Sequence, residues 1–231
     1  MPDTYTLKQI AHIENDFDEK FGIPRQSGLV NELKAKIVFE PEYRNPDAVR
    51  GLENFSHIWL IWQFSKAVRS DWSPTVRPPR LGGNKRVGVF STRSPFRPNA
   101  LGLSSVVLDK VEPETPAGPV LYVSGADLMN GTPIYDIKPY IPMYDSHPDA
   151  RESFTSINSD YGLNVIADEN VLSDFPQEKK QALLSVLAQD PRPQYHDDEN
   201  RQYTMSFAGY DIGFSVKEGT LTILFVKKVN R

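Results

Sequence analysis

The sequence predicts a mainly β protein, with a barrel or sandwich over residues 1–145 and a small α+β unit over 146–231. Three observations carry that expectation. Short apolar or alternating runs recur between turn residues from 5 to 140, with little helical periodicity. The best helical pattern, 176–189, comes late, and three strand-like runs follow it. No Gly-x-Gly-x-x-Gly joins a strand to a helix, so a doubly wound nucleotide fold has no support.

Taken in order, residues 5–13 (YTLKQIAHI) alternate well enough for a first strand. Residues 21–28 (FGIPRQSG) form a turn-rich loop carrying Arg25 and Gln26, and 33–39 (LKAKIVF) alternate again. Asn45-Pro46-Asp47 opens a single helical turn, with Asn45 as its cap and Pro46 at its first position, and Gly51 stops it. Residues 58–64 (IWLIWQF) are nearly all apolar and predict a buried central strand. The stretch 65–84 holds Pro74, Pro78, Pro79 and Gly82-Gly83. It reads as a long loop, and loops of that length are usually functional or disordered.

The chain is organised around 85–105 (KRVGVFSTRSPFRPNALGLSS). A short strand over 87–90 runs into a segment that Pro95 and Pro98 stiffen by fixing φ and removing donors. That loop holds the guanidinium groups of Arg93 and Arg97 four residues apart, and a small-residue turn around Gly102 closes it. Guanidinium forks suit phosphates, carboxylates and aromatic faces, the alternative being arginines that are merely solvated. The net charge of −4 argues against a nucleic-acid partner, but its distribution reverses the argument. Between Lys66 and Arg97, the basic residues Lys66, Arg69, Arg77, Arg80, Lys85, Arg86, Arg93 and Arg97 face a single acid, Asp71. A local basic field on an acidic body can bind phosphates selectively. A loop that is basic by accident would have the same composition.

Strands follow at 106–111 and 120–123. Asn130-Gly131 marks a turn, and Pro139 and Pro142 end the last element of the first part. In the final third, Pro176 opens a helix that places Leu183, Val186 and Leu187 on one face. Two prolines then hold Arg192 extended within Asp190-Pro-Arg-Pro-Gln-Tyr195. Runs at 201–207, 211–216 and 221–226 read as a meander turning at Gly209 and Glu218-Gly219. The absence of cysteine removes any disulfide framework, thiolate metal site or cysteine nucleophile. The amino terminus lacks the basic-then-apolar order of a signal peptide, and no apolar run approaches the ~18 residues of a membrane helix. A soluble cytoplasmic protein without a membrane partner is expected.

Residues 87–104 and 130–140 (NGTPIYDIKPY), with Pro24-Arg25-Gln26 and Phe55-Ser-His-Ile-Trp59, resemble the TsaA-like family of S-adenosylmethionine-dependent tRNA methyltransferases. Residues 190–195 look like the carboxy-terminal motif of its bacterial branch, so the resemblance spans nearly the whole chain. It implies a single-sheet β-barrel enzyme, homodimeric, that N6-methylates threonylcarbamoyladenosine beside the anticodon. It points to Pro24, Arg25, Gln26, Gln63, Phe64, Arg93, Leu103, Asn130, Gly131, Thr132 and Pro133 as residues that bind S-adenosylmethionine. Asn130 stands where the family pattern has Asp, which bears only on a side-chain role there.

The basic stretch and the 190–195 segment supply the tRNA candidates Arg69, Arg77, Arg80, Lys85, Arg97, Asp190, Arg192 and Tyr195. Methyl transfer from a sulfonium needs no metal, and placing donor and acceptor at reacting distance can supply ~7–11 kcal/mol at best. His57, Asp136 and Tyr140 are candidate bases by residue type. Each has a structural alternative: a core histidine for His57, and a turn or a pair with Lys138 for Asp136. Core packing is the alternative for Phe64 and Leu103, and core hydrogen bonding for Gln63. Two other classes stay open at this point. One is a nucleic-acid-binding module without chemistry. The other is a phosphate hydrolase using Arg93 and Arg97, for which the sequence offers neither a metal-ligand set nor a Gly-x-Ser-x-Gly elbow.

Overall fold

A computed structural model of the chain describes residues 4–68, 71–78, 85–151, 162–192 and 201–229. Its first strands are β1 (Ala11–Glu14), β2 (Lys34–Phe39), β3 (His57–Gln63), β4 (Thr75–Val76), β5 (Val87–Gly88) and β6 (Leu101–Glu112). Then come β7 (Val120–Ser124), β8 (Pro133–Pro139), the short helix α1 (Pro142–Asp145), β9 (Asn164–Ile166) and helix α2 (Gln177–Ala188). The chain ends on β10 (Gln202–Phe207), β11 (Tyr210–Lys217) and β12 (Thr220–Lys228). Two compact units result. One comprises Met1–Asn15, Gln26–Trp72 and Pro95–Ser146, the other Asp16–Arg25, Ser73–Ser94 and His147–Arg231.

In the first unit the strands run β1-β2-β7-β6-β3-β8 and close on β1, every pairing antiparallel. Closure leaves no sheet edge to template aggregation. Alternate side chains fill the interior: Ile58, Leu60 and Trp62 from β3 meet Val106 and Leu108 from β6, with Ile13, Ile37, Leu121, Val123 and Ile134 around them. The expectation that 58–64 is buried throughout is corrected here. His57, Trp59, Ile61 and Gln63 point outward and are half-buried, so the apolar run reflects an apolar outer face as well as the core.

Other local expectations change too. The first strand is Ala11–Glu14 and not the whole of 5–13. The strand expected over 87–90 stops at Gly88, because a 3-10 turn takes Val89–Ser91. Gly102 is no turn but the second residue of the twelve-residue β6. It lies opposite Trp62, and a Cβ there would sit 2.3 Å from the indole. Glycine is the residue that lets a tryptophan fill the barrel at that level. The element expected to end at Pro139 is β8, which pairs with both β1 and β3.

The second unit contains a sheet in the order β10-β11-β12-β9, with the expected meander extended by β9 lying parallel to β12. Helix α2 begins after Pro176 and buries Ala182, Leu183, Val186 and Leu187. The unit also takes segments from ahead of residue 145. Phe17 packs tilted against Phe207 with ring centroids 5.1 Å apart, the Ala208 N–H donates to the Asp16 carbonyl at 3.0 Å, and Lys179 pairs with Asp16. The β4–β5 ribbon belongs to the same unit.

Candidate functional site

The candidate cofactor residues divide between the units: Pro24, Arg25 and Arg93 belong to the second, and Gln26, Gln63, Phe64, Leu103 and Asn130 to Pro133 belong to the first. Within the barrel unit, β3 and β6 set Leu103 opposite Ile61, and Leu101 opposite Gln63, on the outer face. Leu103 is 55% exposed, so core packing does not account for it. Phe64 does pack inward, its ring 4.3 Å from that of Trp62, and its N–H donates to the Ala100 carbonyl at 2.9 Å. The Tyr135 hydroxyl donates to Gln63 Oε1 at 2.6 Å.

The Asn130–Gly131 turn caps the same unit. Gly131 has φ +73 with open space where a Cβ would stand, so a flat ring can approach its backbone. Its N–H is committed to the Ile13 carbonyl at 2.8 Å, and the Thr132 N–H to the Met129 carbonyl at 3.1 Å. Asn130 Oδ1 accepts from the Asn15 N–H at 3.1 Å, a role that Asp would fill equally. The turn is thereby held rigid, and these two N–H groups serve the barrel rather than a ligand.

Behind this surface runs a buried polar chain that the sequence reading missed. The Trp62 indole N–H donates to Ser104 Oγ at 3.0 Å, and the Ser104 hydroxyl donates to Asp127 at 2.6 Å. Its signal lay in the alternation of β6, which turns Ser104 inward beside an outward Leu103.

A cleft of about 460 Å³ opens in the barrel unit, and it brings together one cofactor candidate, Gln63, and one tRNA candidate, Arg97. Tyr135, Phe96, Trp72 and Asp71 also line it. The backbone at Arg97 is fixed by its N–H donating to the Pro95 carbonyl at 2.9 Å.

Two of the candidate bases, His57 and Tyr140, lie elsewhere on the barrel. His57 Nδ1 meets Ser56 Oγ at 2.9 Å, and Tyr140 packs beside the rings of His57 and Trp59, at 6.1 and 5.5 Å. These sit at the opposite end of β3 from Gln63, ~20 Å away at strand rise. Asp136 pairs with Lys138 at 2.9 Å, and that hydrogen bond raises the lysine pKa above its ordinary value. Asp136 stands opposite Ile61, whose other neighbour is Leu103.

Arg93 is exposed, just beyond a turn closed by Thr92 Oγ1 donating to the Val89 carbonyl at 2.8 Å. The ribbon pairs Thr75 with Gly88 and Val76 with Val87, and presents Arg77, Lys85 and Arg86 exposed. Arg69, Arg80 and Tyr195 lie outside the described residues. Asp190 and Arg192 form a two-pronged ion pair, Nε to Oδ1 at 2.8 Å and Nη2 to Oδ2 at 2.9 Å, with both side chains largely buried. One edge of the Arg192 fork is thus committed within the protein. Arg25 donates to the Asp190 carbonyl at 3.4 Å.

Within the barrel unit, the outer face of β3 and β6 offers an exposed aliphatic side chain at Leu103 and an amide at Gln63. Residues 12–146 match the tRNA-methyltransferase O N-terminal domain and residues 163–229 the TrmO C-terminal domain. The chain is 42% identical over 209 residues to the tRNA (adenine(37)-N6)-methyltransferase of Escherichia coli, covering 85% of this chain and 86% of that one. It is 43% identical over 177 residues to the enzyme of the same name from Eikenella corrodens, covering 76% and 99%. The crystal structure of TrmO from Pseudomonas aeruginosa superimposes with a TM-score of 0.76 at 31% identity, over 96% of this chain and 98% of that one.

Proposed function

The chain belongs to the tRNA-methyltransferase O family, and from that premise we propose that its acceptor is N6 of threonylcarbamoyladenosine beside the tRNA anticodon. It is an S-adenosylmethionine-dependent tRNA adenine-N6-methyltransferase. The observation that carries the reading is the ordered match of both domains, 12–146 and 163–229, to one family. S-adenosylmethionine supplies an electrophilic methyl: its S–CH3 bond breaks as the N6–CH3 bond forms, and N6 gives up its proton.

What this chain contributes is placement. Leu103, Gln63 and Phe64 supply an apolar and amide surface for the adenosine, with Gln26 and the Asn130, Gly131, Thr132, Pro133 turn beside them in the same reading. Arg93 and Arg25, the latter after Pro24, supply guanidinium groups for the methionine carboxylate. The N6 nitrogen is urea-like and poorly nucleophilic, so its proton must leave during transfer. Asp136 is the candidate base carried forward, because it stands in register with Ile61 and Leu103. Asp136→Asn should lower kcat by roughly 10²–10⁴ while cofactor affinity holds.

Exposed Arg77 and Lys85 on the β4–β5 ribbon, with Arg69, Arg80, Arg97, Asp190, Arg192 and Tyr195, form the tRNA-binding set of this reading. The outward apolar row of Ile61, Leu101 and Leu103 supports a homodimer as the working form. The tRNA substrate makes the cytoplasm the working compartment. Mass spectrometry of tRNA nucleosides from cells lacking this protein tests the whole reading. Methylated threonylcarbamoyladenosine should vanish and the unmethylated nucleoside accumulate. An unchanged nucleoside profile would overturn it.

A further inference from the structure

The cleft of about 460 Å³ has a size typical of small-molecule sites, yet most of the cofactor residues do not line it. Its walls carry the rings of Trp72, Phe96 and Tyr135, suited to stacking on a nucleobase taken out of its helix. Arg97 brings the one guanidinium among the described residues lining it, on a backbone held by Pro95, Pro98 and the Arg97 N–H bond to the Pro95 carbonyl. Gln63, tied to Tyr135, belongs both to the cofactor set and to this cleft. Reacting atoms must approach to about 3–3.5 Å, so donor and acceptor sites have to adjoin, and Gln63 is where they would.

We propose that this cleft is the acceptor subsite: it takes the amino-acid-bearing arm of the modified adenosine, and Arg97 binds the carboxylate of that arm. The proposal rests on the functional reading above, and gives Arg97 the role of deciding which adenosine is accepted. Arg97 meets the carboxylate as a planar fork that lysine cannot reproduce. Asp71, on the same wall, repels a carboxylate and so favours the orientation that turns it towards Arg97. An unmodified adenosine offers Arg97 no carboxylate.

Isothermal titration of three ligands tests the assignment: the nucleoside N6-threonylcarbamoyladenosine, its analogue in which a hydroxymethyl replaces the carboxylate, and S-adenosylmethionine. Wild type should prefer the carboxylated nucleoside by roughly 10–100-fold, the range expected for a charged hydrogen-bonded contact. Arg97→Gln should abolish that preference and Arg97→Lys should restore part of it, with S-adenosylmethionine affinity within about twofold in both. In methylation assays the loss should fall on KM for tRNA rather than on KM for the cofactor. A wild type with no carboxylate preference overturns the proposal even if it methylates tRNA. So does a loss of S-adenosylmethionine affinity on Arg97→Lys with the preference intact, which would give the cleft to the cofactor. Nucleoside binding with the expected preference but no methylation of modified tRNA would sink the functional reading and leave this assignment standing.

Discussion

Ser104 occupies a point where three segments of the barrel are tied together. It accepts from Trp62 on β3, donates to Asp127 in the loop before β8, and sits next to Leu103 on β6. Ser104→Ala leaves a buried indole N–H and a carboxylate without this partner, a loss of roughly 1–3 kcal/mol. Gly102→Ala acts on the same tryptophan from the other side. With a methyl 2.3 Å from a ring that Ser104 anchors, ~1–3 kcal/mol of overpacking is expected, seen as a lower melting temperature. Either substitution should also disturb Trp62 fluorescence. Normal melting and normal fluorescence in both would remove the tie. Arg192 poses a sharper choice. Arg192→Ala abandons the largely buried Asp190 carboxylate, which costs about 3–5 kcal/mol when one partner of such a pair is deleted. The double change Arg192→Met with Asp190→Asn removes the stranded charge and should recover much of the stability. If the recovered protein still methylates tRNA poorly, Arg192 also acts on the RNA; full turnover would confine it to the fold.

At the scale of elements, the β4–β5 ribbon is the piece whose chemistry is least occupied with the fold. Each strand contributes two residues, Arg86 reaches Thr75 Oγ1 at 3.3 Å across them, and Arg77 and Lys85 extend from the ends. A short two-stranded ribbon has marginal stability of its own, so its charges suit contact with a larger partner better than they suit holding structure. If Arg77 and Lys85 each neutralise one phosphate, replacing either by Ala should reduce the slope of log affinity against log salt by roughly 0.7–0.9. The weakening should be similar for every tRNA, since phosphates carry no sequence information. Filter binding of cognate and non-cognate tRNA over a salt series measures both quantities. An unchanged slope would take the ribbon out of the interface.

At the scale of the molecule, the prediction concerns assembly. Leu103 is exposed on a strand whose outward neighbours include Ile61 and Leu101, and an apolar row left half open to water gains from a second subunit laid against it. Sedimentation velocity run alongside activity should show a dimer at assay concentrations, with specific activity falling on dilution into the monomer range. A fully active monomer would refute the assembly.

Much of this protein is legible one residue at a time. Alternation found β2, because a half-buried strand repeats with period two whatever surrounds it, and strand-like runs between turn residues found β7 and the meander. Asn45 and Pro46 announced the 3-10 turn of Pro46–Val49, since a cap is a local bargain between a side chain and the next backbone N–H. The motif residues around Arg93 and Asn130 announced the family for a related reason: ligand chemistry constrains side-chain type and order directly. Closure of the barrel, the strand status of Gly102 and the two partners of β8 were decided by segments distant in sequence. Gly102 looks like a turn until Trp62 is placed against it. The same holds for the buried chain from Trp62 through Ser104 to Asp127 and for the cleft shared by Gln63 and Arg97. A hydrogen bond or a cavity wall is a relation between chain segments. It acquires a position, and with it a chemical meaning, only when tertiary folding brings those segments together.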